Sequence, residues 1–218
     1  MATVTANEHT DRLASTASAL PERRDIVVIG GGQAGLATGY YLARHGLDFV
    51  ILDAHERIGD AWRRRWDSLT LFTPAIYSGL PGMPVPGPSF ADPTKDEIAS
   101  YLEDYASAMG LPVRTGATVR RVISQGSGRW LVETDAGHIE ASHVVIATGG
   151  YQSPRIPEWA DQLDPGILQL HSSDYRRPSQ LQPGRVLIVG ASHSGAEIAV
   201  EIARAHATIL AGRDTGQV

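Results

Sequence analysis

The chain is 218 residues long and carries 19 Lys and Arg against 24 Asp and Glu, a formal net charge of −5. That length can bury a sizeable core, and the mild acidity speaks against the basic face of a nucleic-acid binder. Cys is 0, which removes disulfide scaffolds, thiolate zinc sites, cysteine nucleophiles and dithiol redox chemistry from these residues. No apolar run approaches the roughly 18 residues of a membrane span. Met1 to Leu20 lacks the apolar core of a signal peptide, so a soluble, cytoplasmic protein is expected.

Residues 1–24 show no apolar periodicity and read as a loose tail. Ile26 to Ile29 is a continuous apolar run, as in a strand buried on both faces of a parallel sheet. A glycine-rich turn, Gly30 to Gly35, follows at once, then a predicted helix from Leu36 to His45 stopped by Gly46. Phe49 to Leu52 is a second buried strand closed by Asp53, completing a βαβ unit. The stretch 54–91 is irregular and proline-rich, long enough to be a functional cover. Thr94 and Glu97 form a capping box. The helix it opens has Ile98, Tyr101, Leu102, Tyr105 and Met109 on one face. A β-meander is predicted next, at Thr118–Ile123, Arg129–Thr134 and Gly137–Ala141, and then a buried strand at His143–Ala147. Residues 151–184 read as a crossover. Arg185–Val189, a second glycine turn, a helix over Ala196–Ala205 and a strand from Ala207 repeat the opening pattern.

The first turn is Gly30-x-Gly32-x-x-Gly35. Gly30 permits the tight turn, Gly32 lets backbone approach a pyrophosphate, and Gly35 lets the helix sit close to the strand. Phosphates then rest on the helix N-terminus, at Gln33 and Ala34. Asp53 stands at the distance where a carboxylate accepts ribose hydroxyls, so this turn should prefer a free ribose, FAD or NAD. Gly190 and Gly195 repeat Gly30 and Gly35 at an offset of 160, which sets Arg213 against Asp53. Arginine grips a 2′-phosphate that an acid would repel, so the second turn should prefer NADPH. The alternative is that Arg213 ends a strand in solvent. The middle glycine is Ser192 here, so pyrophosphate cannot come as close.

Two such folds separated by a meander and an Ala147-Thr148-Gly149 strand end resemble the flavoproteins with two dinucleotide-binding domains. The text is similar to the bacterial flavin-containing monooxygenase-like group at Gly59-Asp60-x-Trp62, Leu71-Phe72-Thr73-Pro74, Tyr77 to Gly82, Pro93 to Glu97 and Gly190-x-Ser192-x-Ser194-Gly195-x-Glu197. The resemblance implies an α/β fold: a Rossmann-like FAD domain with a meander over 25–153, a crossover over 154–184 and the start of an NADP domain over 185–218. The family fold is longer than this chain. It implies FAD contacts at Gly30, Gly32, Gln33, Ala34, Gly35, Asp53, Gly59, Asp60, Trp62, Val119, Ala147, Thr148 and Gly149. It implies NADP contacts at Gly190, Ser192, Ser194, Gly195, Glu197 and Arg213.

The implied activity is an NADPH-dependent monooxygenase that oxygenates a small N-, S- or carbonyl-containing substrate with O2 through a flavin C4a-peroxide. The other readings are a non-catalytic FAD-binding fragment and an FAD/NAD(P)H oxidoreductase without oxygenase activity. A disulfide reductase would need a redox Cys pair. The family fingerprint Phe-x-Gly-x-x-x-His-x-x-x-Tyr is half kept: His171 and Tyr175 stand at the right spacing, but Pro165 and Ile167 replace Phe and Gly. Arg63 to Arg65 read as phosphate ligands or a solvated charged loop, and Trp62 and Trp66 as flavin-lining residues or loop anchors. No acid–base catalyst is assigned, and the histidines have no metal-ligand spacing. The second unit leaves an exposed sheet edge and an uncovered apolar face, so aggregation or a homodimer that covers them is expected.

Overall fold

The computed structural model describes residues 22–126 and 128–213. The tail expected over 1–24 lies outside them except at its end, where Glu22, Arg23 and Arg24 belong to the first strand, β1 (Glu22–Ile29). Charge does not keep them out of the sheet because each is paired. Arg114 donates to Glu22 through both terminal nitrogens at 2.6 Å, Arg24 meets Asp48 at 3.0 Å, and Arg23 meets Glu140 at 3.1 Å.

After β1 come α1 (Gln33–Arg44), β2 (Phe49–Leu52), two one-turn helices α2 (Asp60–Arg63) and α3 (Ala75–Ser78), and α4 (Lys95–Ala108). They are followed by β3 (Val113–Arg114), β4 (Val119–Ser124), β5 (Trp130–Thr134) and β6 (Gly137–Ile146). These strands form a six-stranded sheet in the order β3-β2-β1-β6-β5-β4. β3, β2, β1 and β6 run parallel, and β6, β5 and β4 antiparallel. The two separate strands expected over 137–147 are therefore one strand. Its first half closes the meander against β5, and it pairs with β1 from Ile139 to Ile146.

Alternation on β1 and β2 builds two cores. Ile26, Val28, Phe49 and Ile51 pack under α1 and α4 with Leu36, Ile98, Leu102 and Tyr105. Val27, Ile29, Val50 and Leu52 pack against Val132, Ile139 and Ala141 of the meander. The parallel strands read as unbroken apolar runs because both faces are covered.

The capping box forms: Glu97 N donates to Thr94 Oγ1 at 3.2 Å and Thr94 N to Glu97 Oε2 at 2.8 Å. Those Thr94 hydrogen bonds hold the Glu97 carboxyl below its usual range. Two tyrosines of α4 pin the proline-rich loop. Tyr101 OH donates to Met83 O at 2.7 Å, and Tyr105 OH to Pro81 O at 2.7 Å. Burial, with the neighbouring tyrosines adding, pushes the Tyr105 phenol up to about 12. The fold thus favours the protonated phenol. That contribution is whole below about pH 10, the unfolded value, and is lost as pH climbs through the folded one. The melting temperature should therefore fall between about pH 10 and about 12. Tyr105→Phe should flatten that fall while lowering the melt at neutral pH, a pattern read directly by thermal scans across pH.

Beyond Ile146, two short 3-10 turns at Glu158–Gln162 and Pro178–Gln180 punctuate the crossover. β7 (Arg185–Val189), α5 (His193–Ile202) and β8 (Ala207–Ala211) follow, with β7 and β8 parallel. Helix α5 begins three residues before its expected start because Ser192 takes the N-cap place that Gly32 takes in α1. β7 reads as a buried strand but is covered on one face; Leu187 (59%) and Val189 (55%) stand exposed, the uncovered apolar face expected of the second unit. Only the α5 side is covered among the described residues, through Val186, Ile188, Ile198 and Ile202.

Candidate functional site

The C-terminal ends of β1, β2 and β6 meet at one edge of the sheet, where crevices of open α/β sheets take ligands. Gly30 leaves β1 at φ +109°, and its N donates to Leu52 O at 2.7 Å. A Cβ there would lie 2.3 Å from Ala147 O, so the β6 exit passes directly over the turn. At Gly35 a Cβ would lie 1.8 Å from Gly30 O, which is how closely α1 packs onto the turn. Gly32 differs: a Cβ built there meets nothing within 4 Å. Gly32 is the N-cap of α1; no side chain caps that end and its first turn holds no acid. The first amides of the helix, at Gln33 and Ala34, have no intrahelical acceptor. An open glycine cradle and an uncapped positive helix end together suit a bridging phosphate.

Asp53 stands beside this cradle. Its Oδ2 accepts from Gly31 N at 2.6 Å and its Oδ1 from His55 N at 2.8 Å, with His55 Nδ1 2.9 Å from Oδ1. A carboxylate offers about four acceptor positions, so the protein orients the group and leaves room for a ribose hydroxyl. His55 was not singled out from the sequence. The Asp-x-His spacing is its signal, since a carboxylate bonds readily to the backbone two residues on. Gly116 N donates to His55 O at 2.7 Å and Ala117 N to Asp53 O at 2.8 Å. This segment leads into Val119 at the start of β4, which packs on the meander core. Ala147 N donates to Ile29 O at 2.8 Å, placing Ala147 and Thr148 against Gly30. Gly149 turns away at φ +70°.

The remaining first-turn candidates are held by internal contacts. Gly59 sits at φ +86°, and a Cβ there would lie 2.4 Å from Ala99 O, so it lets α4 approach. Asp60 bonds Arg63 at 3.2 Å, and Arg63 also donates to Ile58 O at 2.6 Å and Glu103 at 2.7 Å. Arg63 is thus committed to an ion-pair cluster, and Arg65 lies 5.0 Å over the Tyr151 ring. Trp62 is partly buried between two clusters, and Trp66 is buried as a loop anchor.

The second turn copies the first. Gly190 has φ +109°, its N donates to Ala211 O at 2.7 Å, and a Cβ on Gly195 would lie 1.8 Å from Gly190 O. Ser192 is the N-cap, again without a side-chain cap, and Ser194 is partly buried in the first turn of α5. Burial raises the Glu197 carboxyl, with the charge of His193 opposing. The strand register corrects the equivalence of Asp53 with Arg213. Ile29 pairs with Leu52, but Val189 pairs with Ala211, one residue short of the offset of 160. The position matching Asp53 is therefore Gly212. A Cβ there would lie 2.5 Å from Ala191 N, so no acid fits, and exposed Arg213 comes next. The extra residue of the first copy lies between Gly35 and Phe49, where spacing between glycines cannot reveal it.

A family model described as pyridine nucleotide-disulphide oxidoreductase matches residues 27–217. An uncharacterized CzcO-like oxidoreductase from Geobacillus kaustophilus is 49% identical over 178 residues, 82% of this chain and 51% of that one. The indole-3-pyruvate monooxygenase YUCCA1 of Oryza sativa is 33% identical, over 84% of this chain and 47% of its own. A solved flavin-containing monooxygenase from Stenotrophomonas maltophilia superposes at a TM-score of 0.83 with 38% identity, covering 88% of this chain and 58% of that one. The chain spans about half the length of the curated relatives it matches.

Proposed function

The chain belongs to the pyridine nucleotide-disulphide oxidoreductase family, and from that premise we propose that it carries the FAD site and the opening of the NADPH site of a flavin-dependent monooxygenase. The whole protein would use O2 on a small N-, S- or carbonyl-containing substrate. The observation that carries the reading is the open Gly32 cradle with Asp53 fixed beside it. Those residues fit a dinucleotide: the α1 amides would take the pyrophosphate and Asp53 the adenosine ribose. FAD when bound would supply hydride acceptance and oxygen chemistry. The protein's part is to bind, to orient and to shield. Ala147 and Thr148 close the turn from the β6 side, and the loop pinned by Tyr101 and Tyr105 lies over α4. Cys is 0 in the 218 residues, so these residues hold no dithiol for disulfide reduction, which favours the monooxygenase reading.

Asp53→Ala tests the first site. Losing a charge-assisted hydrogen bond of about 1.5–3 kcal/mol should weaken FAD by one to two powers of ten in a fluorescence titration, and unchanged FAD affinity would overturn the reading. The second turn supports NADPH because Gly212 excludes an acid where the 2′-phosphate would sit and Arg213 follows. In the full-length protein, Arg213→Ala should lower affinity for NADPH and spare NADH. Equal loss of both would mean a folding defect. No helix among the described residues is long and apolar enough to cross a membrane. A cytoplasmic location is part of the same proposal.

A further inference from the structure

His171 and Tyr175, the retained half of the fingerprint, lie in the crossover between the two units. His171 organises a local turn: Ser173 N donates to its Nδ1 at 3.1 Å, and Tyr175 N donates to its carbonyl at 3.1 Å. That turn drives Tyr175 inward until only 3% of it is exposed. Its ring packs with Trp66 and Leu69 from the loop after β2, and with Ile198 and Ile202 from α5. Its hydroxyl donates to Glu201 Oε2 of α5 at 2.7 Å. The flanking residues bond the other way, toward the first unit. Asp67 N donates to Arg176 O at 2.8 Å, and Arg177 Nε lies 3.5 Å from the Asp67 carboxylate. Tyr175 is thus the one side chain of this turn that touches both units and ends in a directional, charge-assisted bond.

We propose that the Tyr175–Glu201 hydrogen bond is the pin that sets the orientation of the second nucleotide-binding unit relative to the first. The apolar cluster, with the Phe72 ring stacked on His193 of α5 at 5.0 Å, holds the two units together but fixes their rotation only loosely, because such contacts are weakly directional. A hydrogen bond to a carboxylate selects one rotation. Its burial raises the tyrosine hydroxyl further above its ordinary value, with Glu201 adding, so the donor proton stays in place. Under the reading of the two turns above, that rotation fixes the angle between two bound dinucleotides. Tyr175 is then a positioning residue, and the geometry it sets exists without any cofactor.

The absence of cysteine makes the test direct. Ser107→Cys on α4 and Ala203→Cys beyond α5 are exposed positions, one in each unit, for paired spin labels. Pulsed dipolar spectroscopy on the labelled chain should give a single narrow distance. Tyr175→Phe keeps the packed ring and removes the donor, so it should lose the narrow peak, with the pinned arrangement disfavoured roughly 10- to 100-fold. Glu201→Ala should do the same, and the double variant should be no broader than either single one. Glu201→Gln retains an acceptor oxygen and should restore the narrow peak. A narrow, unshifted distance in both Tyr175→Phe and Glu201→Ala would overturn the proposal. If Tyr175→Phe fails to fold, a narrow distance in Glu201→Ala alone would overturn it. Apo protein is measured throughout, so a failed pin and a failed cofactor reading give separate signatures.

Discussion

Gly32→Val should cost the protein its flavin and leave its fold standing. The backbone at Gly32 is extended, φ −83° and ψ −169°, a conformation valine adopts without strain. No atom lies within 4 Å of the Cβ it would gain. The added branches would instead fill the space over the first α1 amides, where a pyrophosphate must sit to reach them. Overpacking of this kind costs about 3 kcal/mol, roughly a 100-fold loss in affinity. The apo melting temperature should move little, since valine in place of a glycine N-cap costs about 1 kcal/mol. Calorimetry of the apo protein beside an FAD titration separates the two. Tight FAD binding by the variant would mean the cradle is not the phosphate site.

Gly35→Ala should do the reverse and unfold the first unit whether or not flavin is present. One methyl group would stand 1.8 Å from Gly30 O. That carbonyl cannot retreat, because Gly30 N is bonded to Leu52 O at 2.7 Å and its α-carbon backs onto Ala147 O. The remaining escape is for α1 to lift off the sheet and uncover Leu36, which is 0% exposed. A loss above about 4 kcal/mol is expected, against a total of roughly 5–15 for a domain. Urea unfolding reads it. Gly195→Ala meets Gly190 O at the same 1.8 Å and should damage the second unit alone.

What the sequence made legible follows from how local each signal is. The strand-turn-helix of β1 and α1 can be read because buried parallel strands and tight turns leave unbroken apolar runs and glycines. The Thr94–Glu97 cap is equally local. Contacts between distant residues left no such trace. Glu22 to Arg24 looked like tail because their partners Asp48, Arg114 and Glu140 lie elsewhere in the chain. β6 looked like two strands because Gly137–Ala141 pairs with β5 while β1 pairs from Ile139 on to Ile146, so its pattern changes midway. At the site, Gly30, Gly35 and Asp53 were legible from spacing. Gly212 was not, because its role depends on strand register. Tyr175 was visible as half a fingerprint, but its partner Glu201 carries no motif at all.

The double duty of β6 also sets a timetable for synthesis. β2 pairs with β1 across a short stretch of chain, but Arg23 and Glu140, neighbours across β1 and β6, are 117 residues apart. At a translation rate of roughly 5–20 residues per second, that separation takes on the order of ten seconds to emerge from the ribosome. For that interval β1 presents an unsatisfied edge of Val27, Val28 and Ile29 to whatever is nearby, while local helices and hairpins close within microseconds. The nascent chain is therefore most vulnerable to wrong strand pairing before its meander appears. A ribosome-stalled chain ending before residue 137 should recruit holdase chaperones that one ending after residue 180 no longer needs.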